Sequence, residues 1–133
     1  MNCAFADTSF YVALVNDDDV FYDAAREWLW DWRGQVLTTE YVLCEIGNAF
    51  AKAREKPLFM YLMDTLLRNP ATRIVPATSE LLNAGYELFK RRLDKDWSLT
   101  DCISFVVMQR EGVTEALTTD KHFVEAGFKK LLE

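Results

Sequence analysis

The sequence predicts an open α/β sandwich built on a mainly parallel sheet. Short apolar runs of strand length alternate along the chain with longer stretches of helical spacing, the order from which parallel sheets are made. Half of the residues are hydrophobic and 14% are aromatic, so a chain of 133 residues can bury one core without disulfide or metal staples. No linker, repeat or low-complexity stretch interrupts residues 1–133, which predicts a single domain over that span.

Cys3 to Ala6 reads as the first strand; it ends at Asp7, and Thr8 or Ser9 can cap a helix running through Leu14 and Val15. After a turn at Asp17, Asp18 and Asp19, a helix from about Val20 to Arg33 carries Phe21, Ala24, Ala25, Trp28 and Trp32 at helical spacing, and Gly34 stops it. Gln35 to Thr38 is the second strand. A long helix is expected from Thr39 to about Glu55, with Pro57 ending it or opening the next, over Leu58 to Leu67. Arg73 to Val75 is the third strand. Thr78 or Ser79 then caps a helix with Leu81, Leu82, Gly85, Leu88, Phe89 and Leu93 on its apolar face. Ser98 to Asp101 has the form of a capping box opening a helix that is almost wholly apolar from Cys102 to Met108, hence central and covered, and Gly112 closes it. Glu115 to Thr118 is the fourth strand, followed by Asp120, a short helix near His122 and a fifth strand around Lys129 to Leu132.

A net charge of −6 and a pI near 4.8 exclude a nucleic-acid binder that relies on a broad basic surface. Short basic runs exist at Lys52, Arg54 and Lys56, at Lys90 to Arg92, and at Lys129 and Lys130; they can steer an anion or be solvated faces. The cysteines Cys3, Cys44 and Cys102 form no CxxC pair and read as reduced core thiols, which fits the cytoplasm. No stretch approaches the roughly 18 apolar residues of a membrane span. The single histidine, His122, leaves histidine-rich zinc chemistry unsupported and reads as a structural helix residue. GxSxG is missing, and the glycines are too scattered for a phosphate-cradling loop.

What remains is a set of acids: Asp7, Glu45, Asp101 and Asp120. Asp7 and Asp120 follow strands at the carboxyl end, where open parallel sheets bind ligands, and Asp101 opens a helix that can face the same rim. Each has a plain structural account, as a turn residue, a helix cap or the acid of a capping box. Glu45, with Asn48, Lys52 and Glu55, could be the solvent stripe of its helix, but its flanks are so apolar that only a narrow strip is left exposed. Glu40 fits a helix-dipole partner, and Asp96 is a supporting acid in the loop before Ser98. Trp28 and Trp32 share a helix face that Trp30 does not, and Phe59 to Leu67 is rich in apolar side chains. Both segments are core first, with surface left over for a partner helix or a second subunit.

The order DTSF (Asp7 to Phe10), TTEYVLCEIGN (Thr38 to Asn48), SLTDC (Ser98 to Cys102), TTDKHF (Thr118 to Phe123) and AGF (Ala126 to Phe128) resembles PIN-domain ribonucleases of the VapC toxin type over nearly the whole chain. The resemblance implies a three-layer α/β/α sandwich and metal-dependent hydrolysis of RNA by the toxin of a toxin–antitoxin pair. By the same resemblance Asp7, Glu45, Asp101 and Asp120 match the family acids, and Thr8 or Ser9 the hydroxyl position beside the first. It also implies Mg2+, or Mn2+ as alternative, with Asp7 and Asp101 as primary ligands and Asp120 and Glu45 nearer a second ion. The implied partners are RNA and a cognate antitoxin, and the apolar helices around Trp28 to Trp32 and Leu58 to Leu67 add the expectation of a second copy in a homodimer. The competing readings are a receiver-like acidic binding module, against which Asp7 stands alone after its strand, and a structural partner protein whose apolar helices matter more than its acids.

Overall fold

A computed structural model describes residues 2–132, so positions 1 and 133 of the expected domain lie outside the described residues. Five strands and seven helices follow one another as β1 (Cys3–Ala6), α1 (Thr8–Val15), α2 (Tyr22–Asp31), β2 (Gln35–Thr39), α3 (Glu40–Ala49), α4 (Lys56–Arg68), β3 (Thr72–Val75), α5 (Ser79–Arg91), α6 (Leu99–Glu111), β4 (Glu115–Leu117), α7 (Lys121–Glu125) and β5 (Lys129–Lys130). The strands form one sheet in the order β3-β2-β1-β4-β5. Every pairing is parallel, with Phe5 of β1 opposite Leu37 of β2 on one side and Ala116 of β4 on the other.

This order sets the layers. The chain steps from β1 outward to β3, then returns across β1 to β4 and β5, and right-handed crossovers taken in opposite directions place their helices on opposite faces. Accordingly α1 packs on α2 and α3, and α3 on α4, while α5 packs on α6 and α6 on α7. The result is the expected α/β/α sandwich with an all-parallel sheet. β1 lies at its centre, and Ala4, Phe5 and Ala6 are fully buried, as a strand covered on both faces requires. α6 is the covered helix foreseen from its composition, with Cys102 to Phe105, Val107 and Met108 all buried.

Several boundaries differ from expectation. Asp7, and neither Thr8 nor Ser9, caps α1, its side chain accepting from the Phe10 amide. α2 starts two residues late because Asp19 accepts from the Phe21 amide at 2.8 Å in a turn that uses up Val20 and Phe21. The helix expected over Thr39 to Glu55 is shorter: α3 ends at Ala49, a turn fills the rest of the span, and α4 opens at Lys56 with Pro57 in its first turn. A continuous helix would drive the proline ring into the carbonyl of Ala53. The fifth strand shortens to Lys129–Lys130, although the Leu131 amide still reaches the Ala116 carbonyl at 2.9 Å. Glu40 accepts from the Ala77 amide at 2.6 Å, so it ties α3 to the loop before α5 and is more than a dipole partner.

Cys102 is buried and Cys3 half-buried, but Cys44 is exposed on α3, correcting its reading as a core thiol; Val42, Leu43 and Ile46 take the inward positions. Trp28 and Trp32 stack at 4.6 Å between ring centroids while Trp30 is 80% exposed, which divides the aromatic helix between core and surface. None of the helices among the described residues is long and apolar enough to cross a membrane.

α5 meets α6 closely at Gly85, where a Cβ would fall 2.3 Å from Ile103 Cγ1 and 3.1 Å from the Ile103 backbone. Alanine is the better helix former by about 1 kcal/mol. Gly85→Ala is nevertheless expected to lower stability by about 1–3 kcal/mol, because the backbone contact forces the helices apart. A urea unfolding midpoint at or above the parent's would contradict this packing.

Candidate active site

Strand order reverses between β1 and β4, the place in an open parallel sheet where ligands gather beyond the carboxyl ends. Asp7 leaves β1 here. Its Oδ1 accepts from the Ser9 hydroxyl at 2.7 Å and the Phe10 amide at 3.3 Å, and its Oδ2 accepts from the Thr118 hydroxyl at 2.8 Å. Ser9 Oγ in turn accepts from the Thr119 amide at 3.0 Å, and Thr118 Oγ1 from the Asp120 amide at 2.9 Å. The ends of the two central strands are thus stitched by two hydroxyls around one carboxylate.

Asp120 caps α7 by accepting from the His122 amide at 2.9 Å, and Asp101 closes the predicted capping box with Ser98. The His122 ring then spans the two acids: Nδ1 lies 3.2 Å from Asp101 Oδ2 and 3.2 Å from Asp120 Oδ1. Asp101, Asp120 and His122 each present a ligand atom within 4.8 Å of the others. On the other flank Glu45 is half-buried and accepts a hydrogen bond from the Thr8 hydroxyl, next in the chain to Asp7. Asp96 is exposed in the loop before α6.

The electrostatics are those of crowded acids short of positive charge. Asp7 is only 7% exposed, and burial pushes its pKa up to about 7 despite the bonds from Ser9, Thr118 and Phe10; the Asp101 charge adds to the rise. Burial also raises Asp101, opposed by the Ser98 amide and reinforced by Asp120. Oxygen donors destabilised together in this way suit a hard divalent cation, which would favour their ionised forms.

For Asp7, Asp101 and Asp120 the structural accounts hold, and they leave the three acids on one rim. Asp7 and Asp120 are helix N-caps and Asp101 is the acid of a capping box, and they converge because the helices start on the same rim. Two participants were not foreseen. Thr118 anchors Asp7 across the sheet, and His122, read as a structural helix residue, stands between two acids. The only sequence signal for either is proximity to Asp120, since the i+2 residue of a capped turn can fold back over its cap.

The chain matches the PIN domain family over residues 4–129. It is 29% identical over 125 residues to the 23S rRNA-specific endonuclease VapC20 of Mycobacterium tuberculosis, covering 93% of this chain and 94% of that protein. The crystal structure of M. tuberculosis VapC20, described as a sarcin–ricin loop cleaving toxin, superposes with a TM-score of 0.89 at 26% identity, over 98% of this chain and 99% of that one. FitAcB from Neisseria gonorrhoeae shares the fold at a TM-score of 0.69 and 14% identity, over 96% of this chain and 95% of that one. VapBC2 from Rickettsia felis, bound to a promoter DNA fragment, shares it at 0.67 and 15%, over 96% of each. With a family match across nearly every described residue, the chain belongs to the PIN domain family.

Proposed function

We propose that this chain is a divalent-cation-dependent endoribonuclease, the VapC-type toxin of a toxin–antitoxin pair, folded as one domain. The observation that carries the reading is the pairing of Asp101 with Asp120 on the rim where β1 and β4 end, with Asp7 tied to the Asp120 turn through Thr118 and Glu45 bonded to Thr8, the neighbour of Asp7. Mg2+ or Mn2+ is the proposed cation, held by Asp7 and Asp101 first and by Asp120 and Glu45 nearer a second ion. When bound it supplies Lewis acidity that offsets the negative charge of a phosphodiester in its transition state.

The chain's own groups do the rest. Ser9 and Thr118 fix the Asp7 carboxylate, and Thr8 fixes Glu45, which orients a water or takes its proton as the new bond to phosphorus forms and the bond to the 3′ oxygen breaks. Asp96 serves only as an outlying supporting acid. An acidic protein can handle an acidic polymer this way because the grip is local.

Partners follow from surfaces left apolar. A groove between α3 and α4 is lined by Leu43, Cys44, Gly47, Phe59 and Met63, beside the exposed Met60 and Tyr61, and suits an apolar antitoxin helix. A homodimer would cover the other exposed apolar side chains, and unlinked cysteines accord with a cytoplasmic setting.

Purified protein freed of any partner is expected to cleave a mixed RNA pool with Mg2+ or Mn2+ and to stop with EDTA. Asp101→Asn should lose about 100-fold or more of the rate, as several kcal/mol of lost transition-state stabilisation implies. Cleavage that survives both EDTA and this substitution would refute the assignment.

A further inference from the structure

The cluster at the rim contains one donor that is not an acid. We propose that His122 Nδ1 is a direct ligand of the cation nearer Asp120, towards which Asp101 also turns an oxygen, and that this nitrogen biases that site towards Mn2+ over Mg2+. The inference rests on the cation-dependent reading above and deepens it.

Two geometrical facts carry it. First, one ring atom faces both carboxylates at the same distance, 3.2 Å from Asp101 Oδ2 and 3.2 Å from Asp120 Oδ1. Neighbouring ligands on an octahedral ion with bonds of about 2.1–2.2 Å stand roughly 3 Å apart, so the nitrogen stands at about the spacing of an adjacent corner from each oxygen, and the three ligand atoms lie within 4.8 Å of one another. Second, the ring is held there by its own backbone. The His122 amide donates to Asp120 Oδ1 at 2.9 Å, which starts α7 and turns the side chain back over the carboxylate that caps it. The Ser98 amide, at 3.1 Å, holds Asp101 Oδ2 in the matching position. Both acids are thereby fixed before any ion arrives, and the imidazole, 20% exposed, still opens to solvent on one side.

The chemistry then sets the preference. Mg2+ demands oxygen ligands and gives up its waters reluctantly, whereas imidazole nitrogen suits transition-metal ions. A site of two carboxylates and one imidazole therefore discriminates where a site of carboxylates alone would not. The other occupation of the same distances is a ring N–H donating to both acids, with His122 a positioning residue that never touches the ion.

His122 is the only histidine of the chain, so untagged protein offers a single imidazole. The test is pulsed electron paramagnetic resonance of Mn2+-loaded protein, with calorimetric titration of Mn2+ and Mg2+ separately. The expected result is nitrogen modulation on the Mn2+ signal that disappears in His122→Asn, whose amide oxygen can stand near the Nδ1 position. In that variant the ratio of Mn2+ to Mg2+ affinity should fall about tenfold, the scale on which such changes around a metal act. His122→Gln is the second variant, and circular dichroism melts verify that each is folded. Mn2+ bound without nitrogen modulation in the parent protein overturns the ligand role while leaving the cation reading intact. Failure of the parent to bind either ion overturns both.

Discussion

Asp7→Asn will give a protein that is inactive yet, without metal, more stable at pH 8 than its parent. Activity should fall about 100-fold or more, because the substitution removes a proposed primary ligand. Stability should rise because the parent carries a carboxylate that is 7% exposed and surrounded by neutral donors and other acids. The asparagine fits the same network: its oxygen can keep the Ser9 and Phe10 bonds, and its amide can donate to Thr118 Oγ1, which then turns its hydroxyl towards Ser9 Oγ, 3.2 Å away.

The sign of the pH dependence follows. Burial raises the Asp7 pKa from 3.8 to about 7, so between these values the folded protein holds a proton that the unfolded chain has released. The Asp7 contribution to stability is therefore greatest below the lower value and is lost as pH rises through the upper one, by an amount of order 4 kcal/mol at most. Urea titrations in EDTA at pH 5 and pH 8 should show this decline in the parent and lose most of it in Asp7→Asn. Mn2+ should restore the parent at pH 8 more than the variant, since ligand binding to the folded state is itself stabilising. A parent no less stable at pH 8 than at pH 5 would mean that Asp7 is not a buried acid in want of a cation.

Phe105→Ala carries the largest expected cost to the fold. The ring is 1% exposed and meets Trp97 at 5.0 Å and Phe123 at 4.9 Å, both edge to face, and Phe128 at 5.7 Å. Removing it should cost about 3–5 kcal/mol, against a typical total of about 5–15. Position makes the loss functional as well. Trp97 immediately precedes the Ser98 cap that aims Asp101, and Phe123 immediately follows the turn bearing Asp120 and His122. Phe105 thus clamps the two segments that bring the acids together. The milder Phe105→Leu should fold, melt lower and bind Mn2+ more weakly although it alters no ligand. A variant with lower stability and unchanged Mn2+ affinity would show that the clamp does not reach the site.

The alternation of strands and helices was legible because each strand is a short apolar run and each helix a periodic one. The breaks were less so. Nothing local in Thr39 to Glu55 marks the end of a helix at Ala49, and Pro57 shows only where the next one opens. The acids could be picked out because ionised groups beside apolar flanks are conspicuous, and the motif order joined them. His122 reads as structural from sequence because a lone histidine on a short helix has no pattern; only the backbone turn at Asp120 reveals where its ring goes. Thr118 was hidden for a related reason, since the partner it holds lies 111 positions away.

That separation has a consequence for the time at which the enzyme comes into being. On a ribosome, Asp7 is made more than a hundred residues before the hydroxyl that secures it, and the bond between them waits on β4 pairing with β1. Long-range parallel pairing is slow, because the entropy of closing the intervening chain is lost before the contacts repay it. A nascent polypeptide that has folded everything through α6 still lacks Thr118, Asp120 and His122. The proposed site is therefore completed only when β4 and the turn after it join a sheet whose first strand was made long before.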